Sequence, residues 1–201
     1  MRITTLNRIL LLVMCLLAAY QVGVGINGLE NVPTVAYTIA FGVLLVAGLL
    51  IIILGYEVLD SPIVVVVSTI IPLSLSLGLI WEHVGSLRLP YLIFSLLGLL
   101  MIIITRSFRM PRRLPAYVLT LVHGAAGMVV FLLPSFLAAQ GKINPGFSLV
   151  GLGGALIGLA GLFLYFLKTG KPIVSREIIL HILPGIFLLM TIAFVSGFAL
   201  T

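Results

Sequence analysis

The sequence predicts an all-α fold: a polytopic membrane bundle of seven transmembrane helices, one leading helix followed by three hairpins, with the N-terminus inside and the C-terminus outside. Three observations predict it. Of the 201 residues, 62% are hydrophobic and 8% charged, against roughly 25% charged in an ordinary soluble domain, so no water-facing surface can be built. The polar residues gather into short segments between seven apolar runs, each long enough to cross a bilayer. The basic residues are also asymmetric. With the N-terminus inside, Arg2, Arg8, Arg106, Arg109, Arg112, Arg113, Lys168, Lys171 and Arg176 fall on the inner side, and only Arg88 and Lys142 on the outer.

The runs give helices near 8–27, 34–55, 61–83, 90–106, 115–138, 147–168 and 177–199. The first follows a basic start and could be mistaken for a cleaved signal. Its apolar stretch continues to about Ile26, however, and Leu-Val-Met before Cys15 is a poor lipoprotein signal, so an uncleaved first helix is expected. Asn27-Gly28 with Asn31 and Pro33 turns the chain into the second helix, and Asp60-Ser61-Pro62 into the third. Trp81 and Tyr91 stand where an outer aromatic belt would lie. Pro111 and Pro115 separate the fourth and fifth helices, Gly141 to Pro145 the fifth and sixth, and Gly170 to Pro172 the last two. Such short connections make consecutive helices antiparallel neighbours. The whole of 1–201 reads as one transmembrane domain, within which 90–201 is a candidate four-helix cofactor-binding unit.

A weak internal repeat runs through the odd-numbered helices. LTLVHGAAGMVV around His123 aligns with EIILHILPGIFL around His181, and VVVSTIIPLSLS around Thr69 takes the same place in the third helix. The spacing is 54 residues from Thr69 to His123 and 58 from His123 to His181.

The net charge of +6 does not indicate nucleic acid, because the basic residues punctuate hydrophobic segments and form no continuous face. A single cysteine, Cys15, excludes an internal disulfide and any CxxC motif. The acids Glu30, Glu57, Asp60, Glu82 and Glu177 all fall at helix ends or loops, which disfavours an ion-coupled transporter. HExxH and GxSxG are absent, so a free-standing enzyme is not expected. Gly154-x-x-x-Gly158 lies inside an apolar helix and reads as a packing motif. Pro72, Pro134 and Pro184 should bend their helices.

Ionisable groups within the hydrocarbon region are expensive, and this singles out the histidines. His83, beside Trp81 and Glu82, reads as a solvated interfacial side chain. His123 and His181 are placed one and a half to two turns into helices that both start on the inner side, so they reach a similar depth. Each is followed four residues on by glycine, Gly127 and Gly185, which leaves room beside the imidazole for something flat.

This repeated His-x-x-x-Gly on the second and fourth helices of a four-helix unit resembles the bis-histidine haem b bundles of membrane cytochromes b and cytochrome b561-type proteins, over residues 91 to 201. The resemblance implies one b-type haem near the inner side, ligated by His123 and His181, and electron transfer to or from a quinone or a partner protein. The second histidine pair of diheme bundles would fall at Leu137 and Val195, so at most one haem is implied. Arg109, Arg112 and Arg113, with Arg106, would face the propionates, although lipid headgroups and topology explain the same arginines. Glu177 would orient His181. A chlorophyll-type tetrapyrrole, or a metal held by Cys15, His123 and His181, stays open. So does a purely structural role in which each histidine bridges helices.

The expected function is a cytochrome b-like subunit of a larger membrane complex, in a prokaryotic or organellar energy-converting membrane. The expected partners are the lipid bilayer, other membrane proteins and, with a haem, a quinone. The alternatives are a cofactor-free structural or assembly subunit and a small-solute transporter.

Overall fold

The computed structural model describes residues 3–26, 28–108, 110–111, 113–169 and 174–200. Among them are seven long apolar helices: α1 (Thr5–Val24), α2 (Asn31–Leu54), α3 (Pro62–His83), α4 (Arg88–Ser107), α5 (Leu114–Ala139), α6 (Ser148–Thr169) and α7 (Arg176–Phe198). All seven have the length and hydropathy to cross a membrane. The chain is a multi-pass integral membrane protein, and no strand occurs among the described residues. Short 3₁₀ turns at Tyr56–Asp60, Gly85–Leu87 and Pro145–Phe147 fill three of the connections.

Local chemistry sets the ends. Thr4 caps α1, its hydroxyl accepting from the Asn7 amide at 3.2 Å, and Ser175 caps α7 by accepting from the Ile178 amide at 3.4 Å. Gly25, Gly55 and Gly141 leave their helices with φ of 70°, 81° and 68°, a backbone region that costs a side chain but not glycine. Because Thr4 starts α1 and Gly25 stops it, this helix begins and ends three residues before the expected 8–27. α2 also starts three residues early, since Pro33 is tolerated in a first turn whose amides lack intrahelical partners. In α3, beyond Pro72, the buried Ser76 hydroxyl donates back to the Pro72 carbonyl at 2.6 Å, which satisfies it within its own helix.

Six helices close a ring in the order α1, α2, α3, α5, α6, α7 and back to α1. α4 stands outside this ring, and among the described residues its substantial helix interfaces are with α3 and α5. The ring axis is filled by aromatic side chains: Phe41 lies 6.4 Å from Phe194 and 6.1 Å from Phe198, and Phe198 lies 5.8 Å from Phe147 and 4.6 Å from Tyr37. Toward the end carrying Arg8, Arg106 and Arg113, called the basic end below, a second cluster joins Leu11, Ile51, Tyr56, Leu180 and Leu183. A third, of Leu73, Ile102, Val122 and Ala126, fastens α4 to α3 and α5.

The hairpins are unequal. α2 with α3 and α6 with α7 form the two most extensive interfaces, whereas α4 and α5 meet over a much smaller one. Within residues 90–201, α4 meets α5, α5 meets α6 and α6 meets α7. Among the described residues, α4 has no substantial interface with α6 or α7, and α3 packs on both α4 and α5.

Candidate functional site

His123 is partly buried on α5 and faces α6, where a Cβ on Gly161 would lie 3.9 Å from its Nε2. The antiparallel register along this pair is fixed at three levels. Gly151 packs on Phe131 and Ser135, Gly154 on Val130 and Phe131, and Gly161 on His123. The level between the last two sets Gly158 opposite Gly127. A Cβ added at either glycine would meet nothing within 4 Å. The interface that is tight at Gly154 thus opens into a notch beside the imidazole.

His181 lies elsewhere. It is exposed on the outward face of α7, which it shares with Ile178 and Ile182, and Gly185 one turn on likewise faces open space. α6 packs against both α5 and α7 and stands between them. The two imidazoles differ in direction, and the glycine contacts of α6 set His123 level with Ile186 of α7 and not with His181, so a haem clamped by both within one chain does not fit this arrangement. Glu177, exposed in the first turn of α7, makes no hydrogen bond to His181 among the described residues. Of the arginines expected near propionates, Arg113 is exposed at the start of α5, while Arg109 and Arg112 lie outside the described residues. Cys15 is spent on the α1–α2 contact, its thiol reaching the Leu45 carbonyl at 3.7 Å, so it does not join the histidines. No group of three or more metal-ligating side chains occurs among the described residues.

No protein family, curated protein or solved structure matches the chain. Its chemistry has to be read from its own side chains.

Two polar clusters went unnoticed in the sequence. At the end opposite the basic one, Glu30 before α2 accepts from Trp81 Nε1 at 2.9 Å and from Arg88 Nη2 at 3.1 Å. Arg88 Nε also donates to the Trp81 carbonyl at 2.6 Å, and the guanidinium lies 5.7 Å from the Trp81 ring centre. Next to it, the Tyr37 hydroxyl donates to Glu82 at 3.3 Å, and His83 sits 3.8 Å from the same carboxylate with its ring against Phe147. His83 is therefore tucked under Phe147 and is not the solvated side chain expected. At the basic end, buried Asn7 donates from Nδ2 to the Tyr56 hydroxyl at 2.9 Å. Burial pushes the Tyr56 phenol above its usual 10.0, and the Asn7 bond offsets part of that rise. An asparagine within an apolar helix was the available signal for this contact.

Proposed function

We propose that the chain is a cofactor-free structural subunit of a membrane-protein complex. The observation that carries this reading is the aromatic filling of the ring axis by Tyr37, Phe41, Phe147, Phe194 and Phe198. A solute path or an internal cofactor needs space along that axis. Among the described residues, the pocket lined by Gln21, Tyr37 and Phe41 has a volume of about 10 Å³ and that lined by Phe41, Ile71 and Phe194 about 0 Å³, far below the roughly 300–1,000 Å³ of ordinary ligand sites. The outer helices support membership in a complex. Only 17% of the apolar spans of α4 and α5 is buried within the chain, against 33–44% for the others, leaving a broad apolar face for lipid or partner helices.

A competing proposal, a haem b or related tetrapyrrole on His123, draws on the notch beside its Nε2. It requires a second axial ligand from a partner, since His181 faces away on α7. The electron-transfer role and the quinone belong to this proposal alone.

A reduced-minus-oxidised visible spectrum of protein purified from haem-replete membranes separates the two. The structural reading expects no haem absorbance, and native extraction in mild detergent is expected to give a particle heavier than the 21.6 kDa chain plus detergent. A haem band that His123→Ala abolishes would overturn it. So would solute flux in liposomes containing the pure chain.

A further inference from the structure

The exposed face of α5 lies between α4 on one side and α6 on the other, and three features converge at its basic end. The first is uncompensated charge. No Asp or Glu occurs between Glu82 and Glu177, yet this stretch holds Arg106, Arg109, Arg112 and Arg113 within eight positions. Neither Arg106 nor Arg113 has an ion pair among the described residues, and Arg106 Nε is buried without a hydrogen-bond partner. The contact of Gly98 with Val122 sets the α4–α5 register, which brings Arg106 level with Leu114, the neighbour of Arg113 in sequence. The second feature is a pair of exposed tyrosines, Tyr117 on α5 and Tyr165 on α6, at headgroup depth just inside the arginines. The third is the notch between Gly127 and Gly158, two to three turns further in and continuous with exposed Leu121 and Gly124.

We propose that this face holds one anionic phospholipid as a bound component, with its phosphate on Arg106 and Arg113 and an acyl chain laid into the Gly127–Gly158 notch. Positive charge without an ion pair among the described residues favours a lipid carrying net negative charge over a zwitterionic one. The apolar notch distinguishes a lipid from a free phosphate, because only the lipid has a chain to fill it. The inference stands independently of the structural-subunit reading.

The test is native mass spectrometry of the full chain after equilibration in vesicles of equal phosphatidylglycerol and phosphatidylcholine. One phosphatidylglycerol should remain bound in preference to phosphatidylcholine. The double variant Arg106→Gln/Arg113→Gln should lower its retention by about twenty-five-fold, at about a fivefold loss per arginine. Gly158→Leu, which fills the notch with the arginines intact, should also lower retention, and millimolar inorganic phosphate should not compete. Gly127→Leu on the facing helix serves if Gly158→Leu does not fold. Equal retention of the two lipids, or undiminished retention in the arginine variant, overturns the proposal. Loss in the arginine variant with full retention in both leucine variants overturns the placement of the chain.

Discussion

Gly154 and Gly158 occupy the same face of α6 one turn apart, yet they do different work. At Gly154 a Cβ would come within 2.9 Å of the Phe131 backbone nitrogen, which cannot move without moving α5. Gly154→Ala should therefore cost about 1–3 kcal/mol, as overpacking does, and lower the melting temperature in detergent. Gly158→Ala should leave it unchanged, because nothing lies within 4 Å. A second residue-scale prediction concerns Asn7 and Tyr56. With the folded-state phenol raised above 10.0, the fold favours the neutral form. Its contribution is then complete below the unfolded value and is lost as pH climbs through the folded one. Thermal melts should show an alkaline decline above pH 10 that Tyr56→Phe reduces. The same variant should start from a plateau about 1–3 kcal/mol lower, since the buried Asn7 amide loses its acceptor. Distance along each helix's own axis was legible in the sequence for His123 and His181, because counting residues from a helix start gives it. Direction was not, since it depends on which neighbours each helix acquires. That is why the His-x-x-x-Gly pattern gave one interfacial histidine and one outward-facing one.

Element boundaries were legible wherever punctuation was strong. Pro62, Pro115 and the Ser175 cap put α3, α5 and α7 within one residue of expectation. The errors in α1 and α2 came from reading hydropathy ahead of capping, for Thr4 and Gly25 bound α1 more firmly than its apolar run does. What the sequence did not disclose was how firmly each hairpin would close. α4 owes its attachment to the small cluster around Ile102 and Val122 and, at its start, to Arg88. Arg88→Ala removes the bond to Trp81, the ion pair with Glu30 and the ring contact together. It should destabilise by about 1–2 kcal/mol, the size expected for charge-assisted contacts at a half-exposed site. The loss should appear first as faster proteolysis in the 84–90 connection, and high salt should narrow the difference from the parent chain.

For the whole molecule, the number of crossings followed from composition alone, while the order of helices around the ring did not. Seven apolar helices of similar composition can be arranged many ways, and the choice here rests on close-packed glycines such as Gly78 under Tyr37 and Gly153 under Phe194. Their partners are distant in sequence. The aromatic axis makes the prediction at this scale. Phe41→Ala removes a fully buried ring that touches both Phe194 and Phe198 and should cost about 3–5 kcal/mol. If the axis is a structural core, the variant will melt earlier without passing ions in liposomes. Ion flux on truncation would mean that the ring was a closed gate.

The position of α4 has a further consequence. α3 and α5 lie side by side and run in the same direction, so the chain leaving α3 must cross the bilayer backwards before α5 can begin. α4 is that return pass, the membrane counterpart of the crossover that joins two parallel strands. Its sequence is answerable mainly to hydrophobicity, and its inward stripe of Ser95, Gly98, Ile102 and Thr105 is the part that packing holds fixed. Removing α4 would leave α5, α6 and α7 each entering the bilayer from the wrong side.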